Sequence, residues 1–387
     1  MSSRRNPQGK AEQFNTGDWG GVSHVRAAIL HEVGKPLAVE TVDLEKPRPH
    51  EVAVRIAATG VCHSDLHYIK GDLPFPLPVV LGHEAAGVVE AVGPEVDSVH
   101  PGDHVVMLFA PPCGHCRYCD AGRPHLCEWR SRVRGKMPDG STRLKWKGQE
   151  LHHFTCVSSW AEMAVVPESG VLRISEEVPL TVAALLGCAV TTGVGAVVNT
   201  AQVRPGSSVA VFGAGGVGIN VVQGARIAGA AMIIAVDLLE HRLEAARRFG
   251  ATHTINAKEE DPVRAIQSLT RGGTDYAFEV IGRAAVVRQA VECLARGGVA
   301  VAVGIPPARE EYTVGGPAFV LNEKTLRACF YGSAHLRADI PRLLELYYGE
   351  RLLLDELVTA TYPLDRVNDA VAALDRGDGL RGLLVMA

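Results

Sequence analysis

Basic charge is not in excess in this chain of 387 residues: 39 Lys plus Arg stand against 43 Asp plus Glu, a formal net charge of -4. Without a positive field to neutralise phosphates, nucleic acid is excluded as the main partner. Aromatics are scarce at 5%, whereas hydrophobic residues reach 47% and charged residues 21%. That balance, rich in small aliphatics, is globular and excludes a disordered or fibrous chain. Long apolar runs are lacking too. The most apolar stretch, Val182 to Val198, is broken by Gly187, Thr191, Thr192, Gly193 and Gly195, so it reads as buried core and not as a membrane span. Nor does an apolar segment follow Arg4-Arg5, where Asn6-Pro7-Gln8-Gly9-Lys10 stand instead. We therefore expect no targeting signal, a soluble cytoplasmic protein with no membrane partner, and a loosely held extension over residues 1–24.

Glycine and cysteine are plentiful. Four of the nine cysteines crowd into Cys113, Cys116, Cys119 and Cys127. A secreted disulfide framework would be a shorter chain with cysteines spread throughout it, so this crowding reads as a metal site. Four thiolates on one short lobe can surround Zn²⁺ tetrahedrally, with Gly114 and Gly122 helping the backbone to curl. An iron–sulfur cluster would suit the same donors. Ordinary buried cysteines would leave the spacing unexplained.

The length suits two domains, and periodicity divides the chain. From Val25 to about Val166 short strands (Val25–Leu30, Val52–Ala58, Ala85–Val92, Asp103–Leu108) are punctuated by Pro and Gly, an irregular and mostly β pattern. From about Thr191 strands alternate with helices. Ser208–Phe212 reads as a strand, Gly216–Ala228 as a helix, Met232–Val236 as a strand and Leu239–Phe249 as a helix. His253–Ile255, Pro262–Leu269, Asp275–Glu279, Ala284–Cys293, Val299–Val303 and Leu326–Tyr331 continue the alternation. Such an order implies right-handed crossovers and a parallel sheet covered on both faces.

Within this second region Gly213-Ala214-Gly215-Gly216-Val217-Gly218 follows an apolar strand and opens a helix. In that context G-x-G-x-x-G is a dinucleotide fingerprint: Gly213 allows the turn, Gly215 admits a pyrophosphate, and Gly218 lets helix and strand pack closely. The helix N-terminus then faces the phosphates. Asp237, at the end of the next strand, is placed to bond a ribose diol and repel a 2′-phosphate. Leu238 and Leu239 after it bring no arginine for such a phosphate, so NAD is expected over NADP.

A third constellation is scattered: Cys62-His63-Ser64-Asp65, then His83-Glu84, then Cys188 just before the change of pattern. Alone, each residue is bland. Grouped, Cys62, His83 and Cys188 would supply two thiolates and one imidazole, a three-ligand catalytic zinc with its fourth position open.

These motifs together resemble the zinc-dependent medium-chain alcohol dehydrogenases, in the long form with catalytic and structural zinc. The resemblance rests on Gly60-Val61-Cys62-His63-Ser64-Asp65, Gly82-His83-Glu84-Ala85-Ala86-Gly87, the four-cysteine lobe, Gly187-Cys188-Ala189-Val190-Thr191-Thr192-Gly193 and the nucleotide fingerprint. It runs from about Val25 to the C-terminus. It implies an α/β fold: a GroES-like, mostly-β catalytic domain over 25–189 and 332–387, and a Rossmann-type doubly wound parallel sheet over 190–331. It also implies two Zn²⁺ per chain, NAD, and a homodimer or homotetramer. By the resemblance, Cys62, His83 and Cys188 are the catalytic zinc ligands and Asp65 orients the histidine. Glu84 is a glutamate near the metal, while Ser64 and His67 form a proton relay through the cofactor ribose. Thr192 lies near the nicotinamide, His63 and Arg381 near the pyrophosphate, and Arg242 near the adenosine ribose. Phe109 and Phe154 line the alcohol pocket, with Leu73 nearby.

The implied reaction interconverts primary aryl or alkyl alcohols and aldehydes by hydride transfer. A zinc-ribbon binding module would explain neither the second constellation nor the dinucleotide fingerprint. A zinc-free quinone reductase or a nicotinamide-binding paralogue would have lost a ligand or the relay. The alternative enzyme is a glutathione- or mycothiol-dependent formaldehyde dehydrogenase, because His63 and the long lobe are shared with such enzymes. For that substrate Arg130, Arg132 and Arg134 would have to turn inward; we expect them to solvate the loop after the lobe.

Overall fold

The computed structural model describes residues 21–129 and 134–386. Most of the 1–24 extension, and Arg130 and Arg132, therefore lie outside the described residues. The first strand, Val22–Leu30, starts three residues ahead of the expected Val25, because His24 and Val22 continue its antiparallel pairing with Ala38–Glu45.

The first region builds two β layers. A closed five-stranded barrel runs Val22–Leu30, Ala38–Glu45, Leu144–Trp146, Gln149–His153, Val79–Val80. Beside it, a seven-stranded sheet is centred on Glu51–Gly60, which pairs with Ala85–Val92 and Met163–Pro167. The last strand, Arg381–Val385, joins that sheet antiparallel to Glu51–Gly60, with Leu383 opposite Gly60. The chain's end thus returns to its first region, carrying Arg381 with it.

The second region is a six-stranded, all-parallel sheet in the order His253–Asn256, Met232–Asp237, Ser208–Phe212, Thr274–Glu279, Leu294–Ala302, Thr325–Ala328. Numbered along the chain this is 3-2-1-4-5-6, the doubly wound order, which reverses between Ser208–Phe212 and Thr274–Glu279. Helices cover both faces, so these strands are apolar on both sides, as Val209, Ala210, Val211 and Phe212 show. Two strand bounds in this sheet differ from expectation by more than one residue. Leu294–Ala302 begins five residues before Val299, and the last strand stops at Ala328. It cannot run to Tyr331, because Tyr331, Gly332 and Ser333 all take left-handed backbone, with φ of 52°, 66° and 49°.

The apolar run around Val182–Val198 folds as two short helices, Leu180–Leu186 and Ala189–Gly195, the latter continued by a wider turn at Ala196–Ala201. The pair bends by 46° at Gly187–Cys188. Its side chains bridge the two regions in one core, from Ala58 and Ala86 through Leu185 and Val190 to Val209 and Val211. Among the described residues no single helix is long and apolar enough to cross a membrane.

Candidate active site

Between the two regions lies a cleft of about 1080 Å³, walled on one side by Cys62, His83 and Cys188 and on the other by the glycine turn. Three separate backbone devices deliver the three ligand candidates. Cys62 caps the helix His63–Lys70, with Asp65 at the third position accepting the Cys62 N–H at 3.2 Å. His83 follows Gly82, whose φ of 89° and whose missing Cβ, which would lie 2.4 Å from Trp160, leave glycine as the residue that fits. Cys188 sits at the break between the two short helices. Although far apart in sequence, their ligand atoms lie within 4.8 Å of one another, and all three residues are buried.

Asp65 is fully buried and ties this cluster together. Besides capping its own helix it accepts the Gly82 N–H at 3.2 Å and the His83 Nδ1–H at 3.0 Å, which leaves Nε2 to face the thiols. Burial opposes a charged imidazole, yet the Asp65 carboxylate outweighs it and holds the His83 pKa well above its ordinary value. The hydrogen bond to Cys188 holds the Cys62 thiol well below its ordinary range, while Cys188 is pushed up. Glu84 accepts from the Ala189 N–H at 3.1 Å and pairs with Arg381 at 2.5 Å. Burial pushes its carboxyl up to about 7 against the pull of that guanidinium. Two thiols and an imidazole around one point, with an open cleft in front, fit a zinc ion with an exchangeable fourth position.

Ser64 Oγ lies 3.8 Å from Cys62 Sγ, and His67 lines the same cleft, its Nδ1 3.0 Å from Asp72. Phe109 and Phe154 stand edge-on to the His83 imidazole, with ring centroids 5.3 and 5.7 Å away. Leu73 is not among the lining residues, and this corrects the expected pocket. The turn after His63–Lys70 directs Phe75 to the cleft in its place, edge-on to Phe154 at 5.5 Å. Tyr68, Trp129, Phe330 and Tyr331 also line the cleft without having been singled out from sequence. A signal existed for the last two: they follow the carboxyl end of a parallel strand, where ligands of such sheets bind.

The glycine turn has the expected geometry. Gly213 has φ of 98°, and a Cβ on Gly218 would stand 1.8 Å from Gly213 O. Gly215, Gly216 and Val217 line the cleft, as do His63 and Thr192. Asp237 is more occupied than expected. One carboxylate oxygen accepts from Ala214 N–H at 2.7 Å, the other from Leu238 and Leu239 N–H at 2.7 and 3.0 Å. An arginine does approach, from one turn into the next helix: Arg242 lies 4.0 Å from Asp237 and donates to Gly377 O at 3.0 Å. The Nε groups of Arg242 and Arg381 are buried with no hydrogen-bond partner. Unpartnered donors beside a helix N-terminus fit an anionic dinucleotide.

The four-cysteine lobe is separate. Cys113, Cys116, Cys119 and Cys127 bring their sulfurs within 4.8 Å of one another, three of them half-buried and none in a disulfide. Backbone N–H groups of Glu128 and Cys119 hold the Cys116 thiol down to about 6, while burial pushes Cys127 up to about 12. Four closed donors fit a structural zinc. Arg134 reaches the cleft rim, where it donates to Pro74 O and lies over the Phe75 ring at 5.7 Å. Cys156 and Cys329 are buried and also reach the cleft wall; Cys293 is buried in the parallel-sheet core.

Known proteins agree with this geometry. The family described as alcohol dehydrogenase GroES-like domain matches residues 48–176, and the family described as zinc-binding dehydrogenase matches 216–348. A Mycobacterium tuberculosis protein named "Putative alcohol dehydrogenase D" is 42% identical over 364 residues, spanning 93% of this chain and 99% of its own length. Among solved structures, an alcohol dehydrogenase zinc-binding domain protein from Burkholderia ambifaria is 41% identical with a TM-score of 0.90, covering 95% of this chain and 100% of its own. Benzyl alcohol dehydrogenase from Acinetobacter calcoaceticus is 35% identical, also with a TM-score of 0.90, covering 94% and 100%.

Proposed function

Because the chain belongs to the zinc-dependent medium-chain alcohol dehydrogenases, we propose that it interconverts primary aryl or alkyl alcohols with their aldehydes, using NAD. The observation that carries the substrate class is the pair of rings, Phe109 and Phe154, set edge-on to His83. Cys62, His83 and Cys188 would hold a zinc ion, which when bound supplies a Lewis acid that lowers the pKa of an alcohol oxygen. The glycine turn, Arg242 and Arg381 would hold the nicotinamide cofactor, which supplies the hydride acceptor.

The remaining work falls to the chain itself. Asp65 fixes the His83 ring so that Nε2 faces the two thiols. Ser64 Oγ–H, beside Cys62, would accept the alcohol proton as it gives up its own, and His67, at 18% side-chain exposure, would pass a proton to solvent. Thr192 and His63 line the same cleft as the glycine turn and would lie against the bound cofactor. Phe109 and Phe154 exclude water and bury an apolar tail, at about 25 cal/mol per Å² of apolar surface. Asp237 selects NAD: its carboxylate, 4.0 Å from Arg242, would set a negative charge against a 2′-phosphate and weaken the pull of that guanidinium on it.

A charged thiol adduct would need free cations at the cleft mouth, whereas Arg134 is engaged by Pro74 O and Phe75. The test compares NADH formation from benzyl alcohol and hexanol with that from formaldehyde plus glutathione or mycothiol. The reading expects the first pair to be preferred at least about tenfold in kcat/KM, and a preference for the adducts overturns it.

A further inference from the structure

Tyr331 is 2% exposed and belongs to neither zinc cluster, to the proposed relay nor to the glycine turn. Its ring is stacked on Phe109 at 3.8 Å between centroids and 24° between planes. Its hydroxyl donates to Gly187 O at 2.5 Å, the carbonyl immediately before the ligand candidate Cys188. One side chain thus touches both the ring wall of the cleft and the backbone that delivers a ligand.

The backbone under it is costly. Tyr331 takes φ of 52°, a left-handed conformation unfavourable for a bulky residue, and Gly332 and Ser333 follow in the same region. Gly332 is wedged against the helix Ala189–Gly195, where a Cβ would stand 2.2 Å from Thr191 O. The segment is therefore held where it is, and the tyrosine cannot relax by sliding along the chain. Phe330 adds an edge-on contact to Phe109 at 5.9 Å. Phe109 itself comes from the loop after the strand His104–Met107, which alone does not fix a ring's tilt.

We propose that Tyr331 is a specificity-determining positioning residue: stacked on Phe109 and tethered to Gly187 O, it locks the Phe109 ring as one wall of a flat slot suited to the planar ring of an aryl alcohol. The inference rests on the proposed alcohol-oxidising function and adds to it which residue sets the preference for a planar substrate. Ethanol, which has no tail to reach Phe109, should be indifferent to the lock. Benzyl alcohol should depend on it through KM.

The experiment measures kcat and KM for benzyl alcohol and ethanol in the zinc- and NAD-loaded enzyme, with Tyr331→Leu, which removes both the stack and the tether, and Tyr331→Phe, which keeps the stack and loses the tether. Tyr331→Leu should lower kcat/KM for benzyl alcohol about tenfold, mostly through KM, and change that for ethanol less than about twofold. Tyr331→Phe should keep most of the aryl preference. If Tyr331→Leu gives no soluble protein, Tyr331→Met carries the same comparison. Equal losses for both alcohols, or no loss for either, overturn the proposal and leave the alcohol reading standing. Wild-type enzyme that oxidises ethanol but not benzyl alcohol overturns the slot itself, and wild type inactive with every alcohol overturns both readings.

Discussion

Two clusters of sulfur stand in the same region of this molecule and differ in almost every respect. The lobe draws Cys113, Cys116, Cys119 and Cys127 from one short stretch and leaves three of them half-buried. The cleft cluster draws Cys62, His83 and Cys188 from a helix start, a glycine turn and a helix break, and buries all three. Four donors close a coordination shell, whereas three with a cleft in front leave a position for substrate. The surroundings differ accordingly. Asp65, Glu84 and Arg381 are all buried around the cleft cluster, each ion-paired or hydrogen-bonded to it or to its neighbours. The lobe is held chiefly by its own backbone. A cluster built locally can be lost locally; one assembled from the whole fold positions chemistry.

The hardest test of that division is Cys62→Ala. Zinc content should fall from two to one per chain, and turnover should drop by roughly 10³-fold or more, because the site acts as a unit. The melting temperature should change little. Turnover close to wild type would remove the cleft cluster from the mechanism.

Asp65→Asn probes the support and not the ligand. The amide keeps one acceptor oxygen, so it can still accept from Cys62 N–H or from Gly82 N–H but not from both, and it no longer offers His83 Nδ1–H a charged acceptor. Zinc affinity or turnover should fall about 10- to 100-fold, measured by competition with a chelator and by initial rates. An unchanged affinity would show that Asp65 serves the helix cap alone.

Asp237→Gly moves to the far wall of the cleft, away from both clusters. Removing the carboxylate frees Arg242 and removes the repulsion of a 2′-phosphate, so the ratio of kcat/KM for NAD over NADP should narrow by about tenfold. Zinc content should stay at two. Efficient use of NADP by wild type would contradict the role given to Asp237.

How much of this was legible in the sequence follows from how local each feature is. The lobe and the glycine turn could be read from spacing, since neighbours in the chain are neighbours in space. The parallel strands were readable from alternation, Ser208–Phe212 residue for residue, and in the first region the antiparallel strand Ala85–Val92 matches as well. Cys62, His83 and Cys188 could be grouped only with help from a family resemblance, because no local periodicity links a helix cap to a distant helix break. Phe75, which lines the cleft where Leu73 was expected, and Tyr331 were not singled out, because the turn after Lys70 and three left-handed residues after Phe330 decide which ring faces the cleft. Such backbone choices leave little trace in composition. Arg242 was placed near the adenosine ribose only by the resemblance, and its approach to Asp237 was not read, because it reaches back from the next helix and not from the adjoining turn.

The smallest effect on turnover should come from Cys116→Ala, and that smallness is what the comparison requires. Cys116 caps the short helix Arg117–Asp120, and its sulfur lies 3.7 Å from Cys119 and 3.9 Å from Cys127. The backbone N–H of Glu128, then that of Cys119, lower its thiol to about 6, which favours the thiolate that a metal binds. Removing it should cost the lobe its zinc, lowering the content from two to one, because a structural site that loses one of four donors loses most of its affinity. The loss should appear as reduced soluble yield and a melting temperature lower by about 5 °C or more. The folded fraction, however, keeps Cys62, His83, Cys188 and Asp65 in place, so kcat per folded molecule should stay within about twofold of wild type. Titrating active sites against total protein separates the two quantities. A kcat that falls as far as that of Cys62→Ala would mean that the lobe shapes the cleft, and the division between a local and an assembled cluster would not survive.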